Sequence, residues 1–159
     1  PKNLKKIIAV QTAKEMYMAC KKNLPKDLFV SVAAVADWSI KNISIKKIKK
    51  SSLPPNLNLI ENPDILKYVS THKNRPKFVV GFAAETHYLD KNAQLKLKSK
   101  KCDLIVANNL TINRQVFGSD INSVSVYNKK GLIVKYKKVN KRLISNKILT
   151  EVIYPKLCK

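Results

Sequence analysis

Phe78-Val79-Val80-Gly81-Phe82-Ala83-Ala84 is the stretch on which the fold turns. It is apolar on both faces of a strand, a pattern kept by strands of parallel sheets that are covered on both sides. A polar run follows at once, and its spacing predicts a helix from Thr86 to about Lys101. Asp103 to Ala107 then reads as another strand of the same kind. In the other direction, Asn62-Pro63-Asp64 has the composition of a helix start. Asn62 is the expected cap, Pro63 the first helical residue and Asp64 an acid in the first turn. Ile65, Leu66 and Val69 supply the apolar stripe of that helix, and Leu28 to Val35 reads as a further buried parallel strand.

The outer parts of the chain complete this alternation. Ile7 to Val10 reads as a short apolar strand, and Thr12-Ala13-Lys14-Glu15 has the spacing of a capping box. Met16, Ala19 and Cys20 follow at helical spacing until Pro25. Ser39 to Ser52 is polar and lysine-rich and reads as a long loop beside the sheet. After the loop Asn108 to Asn122, the segments Ser123–Tyr127 and Leu132–Tyr136 predict a hairpin. Asn140 to about Leu157 predicts an amphipathic helix with Leu143, Ile144, Ile148, Leu149, Val152 and Ile153 inward. The expected fold is a single α/β domain over 1–159: a three-layer, Rossmann-like sandwich with a mainly parallel sheet and an antiparallel hairpin at its edge. Ligands of such sheets bind beyond the carboxyl ends of the strands. Those ends fall at Ala33 to Trp38, Gly81 to Glu85 and Ala107 to Asn109.

Composition narrows the function classes. The chain has 159 residues, a formal net charge of +22, three separated cysteines and two histidines. The thiols form neither a CxxC pair nor a disulfide framework, which fits a reducing cytoplasm. No apolar run reaches the ~20 residues of a membrane span. The excess charge favours anionic partners, but lysine is spread along the whole chain, as on a solvated surface. Nucleic acid is disfavoured as a partner, because aromatics are only 7% of residues and the strands are apolar where a basic, aromatic face is needed.

Several segments occur in an order that resembles a known family. They are Ala33-Ala34-Val35-Ala36-Asp37-Trp38, Lys47-Ile48-Lys49-Lys50, Asn62-Pro63-Asp64-Ile65-Leu66 and Val80-Gly81-Phe82-Ala83-Ala84-Glu85. Lys96, Lys98 and Lys100 follow, ahead of Asp103-Leu104-Ile105-Val106-Ala107-Asn108, and then Phe117-Gly118-Ser119-Asp120-Ile121-Asn122. The chain resembles the ligase region of the bacterial bifunctional phosphopantothenoylcysteine decarboxylase/phosphopantothenate–cysteine ligase. That resemblance implies a CTP-dependent joining of 4'-phosphopantothenate to cysteine through an acyl-cytidylate, with Mg²⁺ and lysines sharing the charge of the phosphates.

The resemblance also implies residue roles. Lys47 matches the lysine tied to nucleotide use and catalysis. Ala33 and Ala34 leave room for a base or ribose near the backbone, and Asp37 contacts the nucleotide through a ribose hydroxyl, an amino group or a cation. Pro63, Asp64, Ile65 and Leu66 match a nucleotide-contacting helix start, and Phe82 a contact to base or ribose. Lys96 and Lys100, four apart on one helix face, match nucleotide-binding lysines. Asn108, Asn109, Phe117 and Asn122 are weaker candidates for the pocket lining, and no metal ligands are named. Nothing matches the glycine-rich turn that opens the family's ligase region, or the flavin-dependent decarboxylase half. The expectations are therefore no FMN, an incomplete ligase and a homodimer. The alternatives are an enzyme of another nucleotide, a basic nucleic-acid-binding module, or a dimerisation module without activity.

Overall fold

The computed structural model describes residues 5–42, 44, 46–50, 54, 56–110 and 119–158. Its first element, α1 (Ala13–Lys22), starts where the capping box predicts. The Thr12 hydroxyl accepts from the Glu15 N–H at 3.1 Å, and the Glu15 carboxylate takes the Gln11 N–H at 2.8 Å. Those backbone donors hold the Glu15 carboxyl below its ordinary pKa. The strand expected over Ile7–Val10 does not form: residues 6–11 belong to no helix or strand, and Ile7 and Ile8 are exposed. An apolar run becomes a strand only where a neighbour takes its N–H and C=O groups.

Strand β1 (Leu28–Ser31) is followed by β2 (Trp38–Ile40), β3 (Leu59–Glu61), α2 (Ile65–Thr71), β4 (Phe78–Glu85), α3 (Leu89–Lys100) and β5 (Leu104–Asn109). The hairpin strands β6 (Ile121–Asn128) and β7 (Gly131–Asn140) come next. The main sheet has the order β1-β4-β5-β6-β7. β1, β4 and β5 are parallel, and β6 and β7 extend the sheet antiparallel, so the expected architecture holds. Gly131, at the hairpin turn, has φ +128°, a conformation that costs a residue with a Cβ.

Two expectations about strands are corrected. β1 stops at Ser31, and Val30 and Val32 are exposed, so Leu28–Val35 is no buried strand. β1 pairs only with β4, and the ladder ends at Ser31 opposite Gly81, where the chain leaves the sheet. The lysine-rich loop, in turn, is bracketed by structure: Trp38–Ile40 pairs antiparallel with Leu59–Glu61, opposing Trp38 to Glu61.

Alternation along β4 divides the core. Val79 and Ala83 face α2 and α3, where they pack with Ile65, Val69, Ala93, Leu97, Ile105 and Tyr127. α1 joins this layer through Tyr17, whose ring centroid lies 4.5 Å from that of Tyr68. Val80 faces the other way, with Leu104, Val106 and Val126, against the C-terminal helix. That helix runs as α4 (Lys141–Lys147), a π-helical stretch (Ile148–Ile153) and α5 (Tyr154–Leu157). Ile144, Ile148 and Val152, at four-residue steps, form its buried row with Ile153. Leu143 and Leu149, expected inward, are exposed because they flank that row beyond the reach of the sheet.

Gly81 sets the distance between α2 and the sheet. A Cβ at this position would lie 2.5 Å from Leu66 Cδ2 and 2.9 Å from Ile105 Cδ1. The missing side chain is the space that Leu66 fills, and it brings the start of α2 down onto β4.

Candidate functional site

Two ion pairs tie α3 to the end of β4 and to the start of α2. At the end of β4, Glu85 Oε1 lies 2.8 Å from Lys96 Nζ, with the Glu85 side chain 14% exposed. Asn92 Nδ2 donates to the other carboxylate oxygen at 3.0 Å. One turn further along α3, Lys100 Nζ lies 2.6 Å from Asp64 Oδ2 at the start of α2. Lys96 and Lys100 therefore share a helix face, as their spacing predicts, and each is aimed by a carboxylate on a different element. Neither Glu85 nor Asn92 was assignable from sequence. The pair Glu85–Lys96 spans the turn between β4 and α3, and no helix or strand periodicity relates its members.

The start of α2 differs from its expected form. Asp64, not Asn62, is the cap, and its Oδ1 accepts from the Lys67 N–H at 3.0 Å. Pro63 lies outside the helix. Since Asp64 already occupies this end, the helix does not offer all its free N–H groups to a ligand. Asn62 acts as a clamp instead: its side chain donates to Ala36 O at 2.9 Å and its N–H to Asp37 O at 2.8 Å. The segment between β1 and β2 that carries Ala33, Ala34 and Asp37 is thereby fastened to the segment carrying Pro63 and Asp64, and through Asp64 to Lys100. Ala33 and Ala34 are exposed, and among the described residues the Asp37 carboxylate makes no ion pair.

Other sequence-named residues stand apart. Ile65 is buried in the core, and Leu66 is half-buried over Gly81, so both shape α2 from within. Phe82 is 40% exposed, but the pleat turns it to the face opposite Val79, Gly81 and Ala83, hence away from α2 and α3. Lys47 is exposed on the segment between β2 and β3, and no described ion pair joins it to the other residues. Asn108, at the end of β5, has a buried Oδ1 without a hydrogen-bond partner, whereas Phe117 lies outside the described residues. A cleft of about 540 Å³ opens beside Asn109, lined also by Asp90, Ser123, Ser125 and Lys135. Of the residues named from sequence for the nucleotide pocket, only Asn109, one of the weaker candidates, lines it. Tyr127 donates its hydroxyl to Asp90 nearby, and burial together with that carboxylate pushes the phenol up to about 12.

Among the described residues no three His, Cys, Asp or Glu side chains group as a metal cage. No described helix is long and apolar enough to cross a membrane.

Comparison with known proteins gives the family and the fold. The family described as DNA/pantothenate metabolism flavoprotein C-terminal domain matches residues 1–154. The chain belongs to that family. Among relatives of this domain, the coenzyme A biosynthesis bifunctional protein CoaBC of Haemophilus influenzae is 39% identical over 132 residues, covering 82% of this chain and 32% of the relative. The Bacillus subtilis protein of the same name is 37% identical over 153 residues, covering 96% and 37%. The chain thus spans about a third of the length of the curated relatives it matches. A crystal structure of the C-terminal domain of a CoaBC superposes with a TM-score of 0.68 at 27% identity, covering 91% of this chain and 63% of that one. The DNA/pantothenate metabolism flavoprotein from Streptococcus pneumoniae shares the fold, with a TM-score of 0.66 at 19% identity over 89% of this chain and 71% of that one.

Proposed function

We propose that this domain is the nucleotide-binding part of a CTP-dependent phosphopantothenate–cysteine ligase acting in coenzyme A synthesis. The observation that carries the reading is the chain of links that joins Glu85 to Lys96, Lys100 to Asp64 and, through Asn62, the Asp37 segment to the start of α2, in a family whose relatives are named for coenzyme A biosynthesis.

In the proposed reaction a carboxylate oxygen of 4'-phosphopantothenate attacks the α-phosphorus of CTP. The bond to pyrophosphate breaks and an acyl-cytidylate forms. The amine of cysteine then attacks the acyl carbon, CMP leaves, and the amine gives up a proton to solvent. Lys96 and Lys100 hold the triphosphate. Each ammonium has three donors, so a lysine anchored on Glu85 or Asp64 keeps hydrogens for phosphate oxygens. Because the carboxylates already position both lysines, little side-chain ordering is left for the moment of binding. Lys47, on its arm, follows the charge that develops on the α-phosphoryl oxygens. Mg²⁺, when bound, neutralises phosphate charge, and Asp37 is the carboxylate at the strand ends with no described lysine on it, so it is the residue to hold the ion. We read the domain as a homodimer that uses the β6–β7 hairpin, and as a companion of a decarboxylase region in the whole protein.

Calorimetric titration with CTP and ATP in Mg²⁺ tests the reading. CTP should bind in preference to ATP. Lys100→Gln should weaken CTP roughly tenfold, the loss of one charged hydrogen bond. Lys47→Gln should weaken it less and act mainly on acyl-cytidylate formation in the whole ligase. A folded Lys100→Gln protein with undiminished CTP affinity removes the proposed triphosphate site.

A further inference from the structure

A second cleft, of about 590 Å³, lies beside the last turns of α2 and α3, and nothing in the ligase reading uses its lining. It is lined by the last turn of α2 (Ser70, Thr71), by Arg75, by the last turn and cap of α3 (Lys98, Lys101) and by Lys129 of the hairpin turn. None of Asp37, Asp64, Glu85, Lys96 and Lys100 lines it. We propose that this cleft is a binding site for a small phosphorylated anion, distinct from the nucleotide site.

Three observations point the same way. First, the lining contains no carboxylate, and among the described residues none pairs with Lys98, Lys101 or Lys129. Second, the charge does not balance. Asp103 cancels Arg75, and the carboxyl ends of α2 and α3 together cancel about one further charge. Arg75 and three lysines therefore leave a surplus of about +2 once these opposing charges are subtracted, the charge of a phosphate monoester dianion in reverse. Third, donors are left without acceptors. The Ser70 side chain is 3% exposed and its hydroxyl has no partner, and the buried Nε of Arg75 has none either. An unpaired buried polar group costs about 1–3 kcal/mol, so its retention calls for a partner. A tetrahedral anion with several acceptor oxygens is the partner that satisfies a hydroxyl, a guanidinium N–H and ammonium groups together.

The test is a titration of the ¹⁵N-labelled chain with inorganic phosphate and with pyrophosphate, at ionic strength held constant with NaCl. Saturable shifts are expected at Ser70, Lys98, Lys101, Lys129 and the Arg75 Nε–H. Lys98→Gln/Lys101→Gln should weaken binding roughly tenfold or more, two charged contacts being lost. Lys21→Gln/Lys22→Gln, which removes the same charge from α1, should leave it unchanged. Ser70→Ala should weaken binding while keeping or raising the melting temperature, since it deletes an unsatisfied hydroxyl. Equal weakening by both lysine pairs, shifts confined to Glu85 and Lys96, or no saturation with either anion would overturn the proposal. CTP affinity should be unaltered by Lys98→Gln/Lys101→Gln, so the fate of this site and that of the nucleotide site are read separately.

Discussion

Replacing Gly81 with alanine should loosen the contact on which the geometry of α2 rests. The added Cβ meets Leu66 Cδ2 at 2.5 Å and Ile105 Cδ1 at 2.9 Å, both closer than Cβ contacts allow. Leu66, which meets the added Cβ most closely, is half-buried at the start of α2, and Ile105 on β5 is fully buried, so relieving the contacts shifts side chains packed between α2 and the sheet. Overpacking of this kind costs about 1–3 kcal/mol. Alanine returns part of that, roughly 0.4–1 kcal/mol, by restricting the unfolded chain at a position whose φ it tolerates. A net loss of about 1–2 kcal/mol follows, or about 2–8 °C in melting temperature for a domain of this size. Circular dichroism melts of Gly81→Ala, Leu66→Ala and the double variant measure it. The cost of Gly81→Ala should shrink in the Leu66→Ala background, giving a coupling energy of opposite sign to the two single losses. A Gly81→Ala protein that melts with the wild type, or losses that simply add, would refute the claim that Leu66 fills the glycine's space. Displaced α2 also carries Asp64 away from Lys100, so CTP affinity should fall along with stability.

Three further outcomes follow from local chemistry. Thr12→Ala should cost about 0.5–2 kcal/mol by opening the α1 capping box, read as a lower urea midpoint at unchanged slope. The Tyr127 phenol, held protonated up to about 12, keeps its stabilising contribution below the ordinary tyrosine pKa of about 10 and loses it as pH rises from there toward 12. Absorbance titration of Tyr127→Phe should therefore lack a phenolate step near pH 12 that the wild type shows. Burial lifts the Cys102 thiol to about 11, so at pH 8 a thiol reagent should modify exposed Cys158 first and reach Cys102 only on unfolding.

The sequence makes the central layer legible and the periphery less so. β4 and β5 are announced by unbroken apolar runs, and the hairpin by alternation around Gly131, because each pattern has a single economical way to be buried. Leu28–Val35 carries a similar run yet supplies only a half-exposed edge, since hydrophobicity reports a wish for partners and not their number. The β2–β3 ladder was invisible, as three-residue strands leave almost no periodicity. At the site, Lys96 and Lys100 could be placed by helical spacing alone. Their carboxylate partners, the clamp formed by Asn62 and the outward turn of Phe82 depend on how separate elements dock, which no local pattern encodes.

That clamp has a consequence for the lysine segment. With Trp38 opposed to Glu61 and Asn62 bonded to Ala36 and Asp37, the two feet of the arm are held together before any ligand arrives. The entropy of closing the intervening loop is therefore spent in folding, and not again at each encounter with a nucleotide. On the proposed reading, such an arm presents Lys47 to the nucleotide at an effective concentration set by the length of the arm rather than by the amount of protein in solution.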